Sequence, residues 1–341
     1  MRIVTAEPLN AESPLEALRE DITPLSEFFV RSHFSPPNIA RRDHVLSVGG
    51  AVHHELRLNM DDLEAMGTRR FAATLECAGN GRTGLSPLPA GEPWQLGAVG
   101  TAHWTGVPLH AILESARVRS GVIEILAVGA DRGRPPDATE EILFARSIPI
   151  AKAMDPDTLL ALRMNDQPLS REHGAPIRLI VPGWYGMASV KWVERLEALA
   201  EPFRGYYQVG RYFYDDRNGK PHTPVSTVGV RSLIVSPLDG ETVRRGRTIV
   251  RGKAWSGDGE VVIVHVEVDE AGASQEAKLF PTLSSHAWRT WEFAWDATNP
   301  GRHLLRSYAT DEKGNRQPSV GRWNRYGYGN NAAHAIAVTV R

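Results

Sequence analysis

The chain has 341 residues, enough for two or three domains with ample core, and its 39 basic and 40 acidic side chains nearly cancel. That balance leaves no global field to recruit nucleic acid or an anionic membrane, and no apolar run is long enough to cross one. A single cysteine, Cys77, excludes an intramolecular disulfide framework.

Met1 to Asn10 lacks the apolar stretch of a leader, so a cytoplasmic protein is expected, or a periplasmic one if a leader has been removed. Residues 1–27, with Pro8, Pro14 and Pro24, read as an extended arm with a turn of helix at Leu15–Arg19. In Phe28-Phe29-Val30-Arg31-Ser32-His33-Phe34-Ser35-Pro36-Pro37, Arg31 and His33 are two apart and share a strand face. Alone they would pass as a solvated arginine and a satisfied histidine. Val45 to Leu58 alternates around Gly49-Gly50 like a hairpin, Met60 to Met66 reads as a short helix, and Phe71 to Glu76 as a strand.

That strand runs into Cys77-Ala78-Gly79-Asn80-Gly81-Arg82. The glycines force a turn and admit close backbone approach, and Arg82 would favour the thiolate. The plain alternative is a buried thiol acting as a small hydrophobe. With one cysteine no CxxC exists, and His53-His54 lacks HExxH spacing. A metal on Cys77 would therefore need most of its ligands from a cofactor. The other chemical option is a thiolate nucleophile paired with a histidine.

From Cys77 to Gly100 the chain is a Gly/Pro-rich loop containing Trp94, long enough to line a site. Leu109, Ile112, Leu113 and Ala116 have helical spacing behind Pro108. Val122 to Val128 reads as a strand ending at Gly129-Ala130-Asp131-Arg132-Gly133, and Ser147-Ile148-Pro149 as a capped helix start running to Met154. Leu159 to Met164 is a strand entering a tight turn at Asn165-Asp166. Further on, His173, Arg178 and Lys191 flank a buried strand, Ile177–Val181, and a Pro/Gly loop, a pattern suited to an anion such as a phosphate. Gly205 to Tyr214 holds four tyrosines with Arg211 among them. Beyond a turn at 215–221, Val262, Val264, Val266 and Val268 alternate on one strand and Trp291, Phe293 and Trp295 on another. This texture predicts an all-β sandwich, with a boundary near residue 222.

Taken together, Phe28–His33, Leu75–Arg82, Ile148–Pro156, Met164–Arg178 and Val190-Lys191-Trp192 resemble the sulfite oxidase family of molybdopterin enzymes. Ile234–Trp255 resembles the start of that family's immunoglobulin-like dimerisation domain. The resemblance implies an α+β chain: a mixed α/β molybdopterin-binding domain at 1–222, its arm at 1–27, and an immunoglobulin-like sandwich at 223–341. It implies a molybdenum–molybdopterin cofactor with Cys77 as the single protein ligand, a division that suits soft sulfur donors. His33, Asp131, His173, Arg178 and Lys191 fall on positions that hold the pterin or its phosphate, although the residues flanking Asp131 diverge. Arg31, Arg82, Trp94 and Tyr212 match substrate-pocket positions, and two guanidiniums with a phenol suit a small oxyanion.

The implied reaction is oxidation of sulfite to sulfate by oxygen-atom transfer in a homodimer. One cysteine forbids CxxCH haem attachment, so electrons would leave to an external acceptor such as a cytochrome. Three departures bear on the substrate. Tyr326 stands where the family's sulfite oxidases carry an arginine in a Trp-Asn motif, Gly81 replaces the first of two arginines, and Trp184–Ser189 lacks a basic residue. Without that guanidinium a raised Michaelis constant is expected, which Tyr326→Arg would lower; Arg325, one residue earlier, points to the other strand face. Nitrate- or sulfoxide-directed chemistry on the same fold is the nearest alternative. A cysteine hydrolase, or a non-catalytic adhesion module, are those of another class.

Overall fold

The i, i+3, i+4, i+7 spacing of Leu109, Ile112, Leu113 and Ala116 is realised in the helix Leu109–Ala116, where all four are at most 1% exposed. The helix Met60–Ala65 begins with a reciprocal cap. Asn59 accepts from the Asp61 and Asp62 amides at 2.8 and 2.9 Å, and Asp62 accepts from the Asn59 amide. These helices pack on strands of two sheets in the computed structural model, which describes residues 1–215, 219–269 and 274–341.

In the first sheet the cysteine strand Arg69–Glu76 pairs antiparallel with Val99–Pro108, and that strand pairs with Leu159–Met164. Arg178–Ile180 and Gln167–Pro168 also lie on Leu159–Met164. The second sheet runs in the order Leu56–Asn59, Val45–Gly50, Val193–Leu199, Glu124–Gly133, Ile142–Pro149, with one parallel pair between Val45–Gly50 and Val193–Leu199. Residues 231–340 form two further sheets. One is built on Arg231–Ser236, Gly246–Trp255 and Arg289–Ala297, the other on Val261–Val268, Gly301–Asp311 and His334–Val340. Trp291, Phe293 and Trp295 are buried between them as their alternation requires.

Several local expectations are corrected. Residues 1–27 keep the expected helical turn at Leu15–Arg19, but the extended arm is paired: Arg2–Thr5 pairs with Asn10–Glu12, Ala11 bridges Val30, and Thr23 N donates to Thr101 O at 2.8 Å. The hairpin turns at residues 51–55 rather than at Gly49-Gly50, because Gly49 and Gly50 pair with Glu197 and Ala198 of the parallel neighbour, where a Cβ at Gly50 would lie 2.5 Å from Ala198 O. Gly129–Gly133 continues its strand, since Ala130 N and Gly129 pair with the chain around Trp192 and Val193. Ser147 caps no helix; it belongs to the strand Ile142–Pro149, and the helix is confined to Ile150–Ala153. A bulge between Val261 and Ile263 turns Val262 outward, so Val261, Val264 and Val266 fill the core instead. Residues 216–218 of the expected turn lie outside the described residues.

The cysteine strand lies at the edge of its sheet, and the sandwich covers it. Thr74 N donates to His286 O at 2.9 Å, and Trp288 N donates to Thr74 Oγ1 at 2.8 Å. At the end of that strand Glu76 meets Arg231 of the sandwich at 2.6 Å, with side chains 2% and 4% exposed. Trp255 Nε1 donates to the other carboxylate oxygen at 2.8 Å, and Asn80 Nδ2 to the first at 2.9 Å. Removing one partner of a buried pair strands the other charge, at a cost of about 3–5 kcal/mol. Arg231→Met is therefore expected to lose that much stability in urea unfolding, and the double variant Arg231→Met/Glu76→Gln to recover a substantial part of it. A loss below about 1 kcal/mol for the single variant would contradict this account.

Candidate functional site

Two cavities meet at Cys77. The inner one spans about 680 Å³, part of it open to solvent, and is lined by Cys77, Asp131, His173, Arg178, Lys191 and Ser32, among others. The outer one spans about 1250 Å³, part of it open to solvent, and is lined by Arg82, Trp94, Arg211, Tyr326 and Tyr328. Arg31, His33, Cys77 and Tyr212 line both. Every residue that the sequence proposed for the site faces one cavity or the other.

The thiol is delivered by the cysteine strand and held by the turn that follows it. Cys77 N donates to Ala98 O at 2.9 Å, and Asn80 N to Cys77 O at 2.9 Å. Gly81 is left-handed at φ 81°, a conformation open to glycine at little cost. The sandwich clasps the same turn: Gly329 N donates to Ala78 O at 2.8 Å and Asn330 Nδ2 to Gly81 O at 2.7 Å. Burial pushes the Cys77 thiol up from its ordinary value, against Arg31, the Gly79 amide and Arg82, which pull it down. Arg82 thus favours the thiolate as expected, but burial outweighs it and the net shift is upward.

In the inner cavity Arg31, Arg178 and Lys191 crowd together, with Asp131 and Glu172 as the carboxylates among its described lining residues. Arg178 donates to His173 O and Ser189 O, both at 3.1 Å, and its guanidinium lies 5.2 Å from the Trp104 ring centre. Lys191 Nζ donates to Ser32 Oγ at 2.9 Å and Glu172 O at 2.8 Å. A Cβ at Gly174 would come within 3.0–3.1 Å of the Cβ atoms of Lys191 and Arg178, and its φ is 105°; glycine lets these two cations converge beside His173. Burial lowers Arg178 to about 9 and, with Arg178 and Lys191 adding repulsion, lowers His173 to about 4. Burial raises Asp131 to about 7 despite Lys191. Asp131 Oδ1, His173 Nε2 and Arg178 Nε are buried without a hydrogen-bond partner. Unpaired buried polar atoms of both kinds around one cavity mark a place for a polar, anionic ligand.

Between the cavities, His33 Nε2 and Tyr212 Oη lie 2.6 Å apart, and the imidazole stacks on Phe144 with ring centres 4.6 Å apart. Tyr212 has φ 58°, a costly state for an aromatic residue, held by the His33 contact and by stacking on Tyr328 at 5.0 Å. Burial, with Arg31, Lys191 and Arg146, keeps His33 neutral. Burial raises the Tyr212 phenol, with Arg31, Arg146 and Arg82 pulling the other way, so it stays a donor. In the outer wall Arg82 is pinned by Tyr326 O at 2.8 Å and by Glu92 O.

Arg325 is held away, by a bidentate pair with Asp215 at 2.7 and 2.8 Å. Arg211 instead reaches Tyr326, its Nη1 donating to the phenol oxygen at 3.2 Å. Sequence reasoning noted Arg211 among the four tyrosines without giving it a role. Tyr328, Arg231 and Asn330 escaped it, because nothing local ties them to a cysteine some 150 or more positions away.

A family model described as an oxidoreductase molybdopterin binding domain matches residues 33–207, and one described as a Mo-co oxidoreductase dimerisation domain matches 223–341. The chain is 35% identical over its whole length to mitochondrial sulfite oxidase of Rattus norvegicus and spans 66% of that protein. It is 32% identical to the sulfite oxidase of Gallus gallus, over 98% of this chain and 77% of the relative. With the NADH nitrate reductase of Volvox carteri the figures are 29% identity, 99% and 43%. The crystal structure of the sulfane dehydrogenase SoxCD from Paracoccus pantotrophus superposes with a TM-score of 0.85 at 28% identity, covering 99% of this chain and 88% of that one.

The buried histidine carries a pH prediction for the cofactor-free protein. His173 stays neutral in the folded chain down to about pH 4, whereas in the unfolded chain it takes its proton near 6.5. The unfolded state therefore binds protons first on acidification, and stability falls as pH drops through that window. The loss from this residue is about 3 kcal/mol once pH reaches 4. His334, held low by burial and Arg231, adds in the same direction. Urea unfolding at pH 7.5 and 4.5 should show His173→Gln losing about 2–3 kcal/mol less than wild type between the two; equal losses would overturn the assignment.

Proposed function

This chain belongs to the sulfite oxidase family of molybdopterin-dependent oxidoreductases, and from that premise we propose that it oxidises sulfite to sulfate and passes the electrons to an external acceptor. The observation that carries the reading is the meeting of an anion-binding inner cavity and an arginine-lined outer one at a single cysteine.

The residues present fit the family's cofactor. Asp131 Oδ1, His173 Nε2 and Arg178 Nε are free to engage a pterin and its phosphate, with Lys191 and His33 beside them, and Cys77 would be the ligand to molybdenum. When bound, the cofactor would supply a sulfur-ligated metal centre capable of oxygen-atom transfer and of holding the two electrons released. The overall change is sulfite and water to sulfate, two protons and two electrons.

The chain's own part is to bind and orient. Arg31 and Arg82 bring positive charge to the outer side of Cys77, and Tyr212 presents a phenol that keeps its proton. Three donors of fixed position suit the oxygens of a small oxyanion. Trp94, buried in the same wall, excludes water behind them. A second reading is favoured by the size of the outer cavity, which exceeds what sulfite needs, and by the likeness to a sulfane dehydrogenase: the substrate would be a longer anion ending in sulfane sulfur.

Protein from a host that makes the cofactor should contain molybdenum near one atom per chain and reduce an artificial acceptor when given sulfite. Cys77→Ser should lose the metal. Molybdenum without sulfite-dependent reduction would shift the assignment to thiosulfate or, in the reductive direction, to nitrate and sulfoxides. Zinc with esterase activity would point to a hydrolase.

The assembly we propose is a homodimer through the C-terminal domain, which leaves Val262, Leu283, Val320 and Trp323 exposed. Sedimentation should give a dimer at micromolar concentration. A stable monomer would count against it.

A further inference from the structure

Among its described lining residues the outer cavity has four arginines, Arg31, Arg82, Arg134 and Arg211, against one carboxylate, Glu92. Three of the four need little explanation. Arg31 and Arg82 stand beside Cys77, and Arg134 lies on the loop that follows the strand Glu124–Gly133.

Arg211 is different. It sits in a frame that fixes its plane while leaving its charge exchangeable. Its guanidinium lies 5.1 Å from the ring centres of both Tyr206 and Tyr326. Nη1 donates to Tyr326 Oη at 3.2 Å and to Gly210 O at 2.9 Å. Nη2 donates at 2.6 Å to Asp137, whose other carboxylate oxygen accepts from Tyr206 Oη. Asp137 is half exposed and is not among the cavity's lining residues. Two aromatic faces and a phenol oxygen therefore hold the guanidinium in the wall, and its counter-charge is a solvated carboxylate outside. Such an exposed pair is weak and open to exchange, whereas the stacked, planar fork is preorganised for an oxyanion.

We propose that Arg211 is a specificity-determining residue of the outer cavity: an incoming divalent oxyanion of sulfur displaces Asp137 from it, and Tyr326 is the positioning residue that keeps the guanidinium aimed inward. This rests on the reading of the site as one for sulfur oxyanions. It also changes the expectation for position 326. Tyr326→Arg would set a second guanidinium against Arg211 and so would not lower the Michaelis constant.

The test compares Arg211→Met, Asp137→Asn and Tyr326→Phe in molybdenum-loaded protein, with sulfite kinetics and calorimetric titration of sulfate as separate readouts. Arg211→Met should raise KM for sulfite and weaken sulfate binding about tenfold or more, with the change falling on KM rather than kcat. Asp137→Asn should move both the opposite way, a few-fold tighter, because the competing carboxylate is gone. Tyr326→Phe keeps the aromatic face and should weaken binding by less than Arg211→Met.

Unchanged KM and sulfate affinity in Arg211→Met would overturn the proposal. So would Asp137→Asn and Arg211→Met both weakening binding, the pattern of a purely structural ion pair. If the wild type shows no sulfite-dependent turnover, the assigned reaction fails, yet sulfate titration still decides for or against Arg211.

Discussion

The buried pair of Glu76 and Arg231 is the contact on which the site depends. Two charges taken out of water would destabilise the fold unless every lone pair were used, and here Trp255 and Asn80 complete the carboxylate. Glu76 is also the residue before Cys77. A bond that fastens one domain to the other therefore sets where the thiol emerges. The same region of the sandwich supplies Gly329 and Asn330 to the turn after Cys77. The C-terminal domain is thus part of the cysteine's immediate support, whatever else it does in assembly.

The inner cavity shows the opposite economy. Burial drives the pKa of His173, Arg178 and Asp131 from its ordinary value, and each keeps a polar atom without a partner. Packing that served folding alone would have satisfied these atoms or replaced them. Their cost is tolerable because a ligand that engages the folded chain returns the lost hydrogen bonds, and its binding adds to stability by mass action. Folding and cofactor capture are in that sense linked through three side chains.

Much of this was legible in the sequence because it is local. A strand, a lone cysteine and Gly-Asn-Gly within nine residues define a thiol at a turn, and His173, Arg178 and Lys191 bracket one strand and one loop. Alternation predicted the Trp291, Phe293 and Trp295 face of the sandwich correctly. It failed at Val262, where a bulge adds a residue and reverses the facing. Ser147 looked like a cap because Ser before Ile-Pro has that grammar, but sheet pairing with Glu124–Gly133 prevailed over the local preference. Contacts between distant segments were not legible at all. Arg231 lies 155 positions from Glu76 and Tyr326 lies 115 from Arg211, and no periodicity connects them.

The outer cavity also makes the molecule electrically uneven. A chain with a formal charge of −1 gathers, among its described residues, four guanidiniums and one carboxylate around one concavity. Low-dielectric walls focus the field of such a cluster into the opening. Beyond about 8 Å at physiological ionic strength mobile ions screen it, so polyanions passing at a distance feel a nearly neutral particle. A small anion that diffuses to the mouth enters a funnel. Capture is therefore a property of the last few ångströms, and added salt slows the entry of a charged substrate far more than it disturbs the protein that receives it.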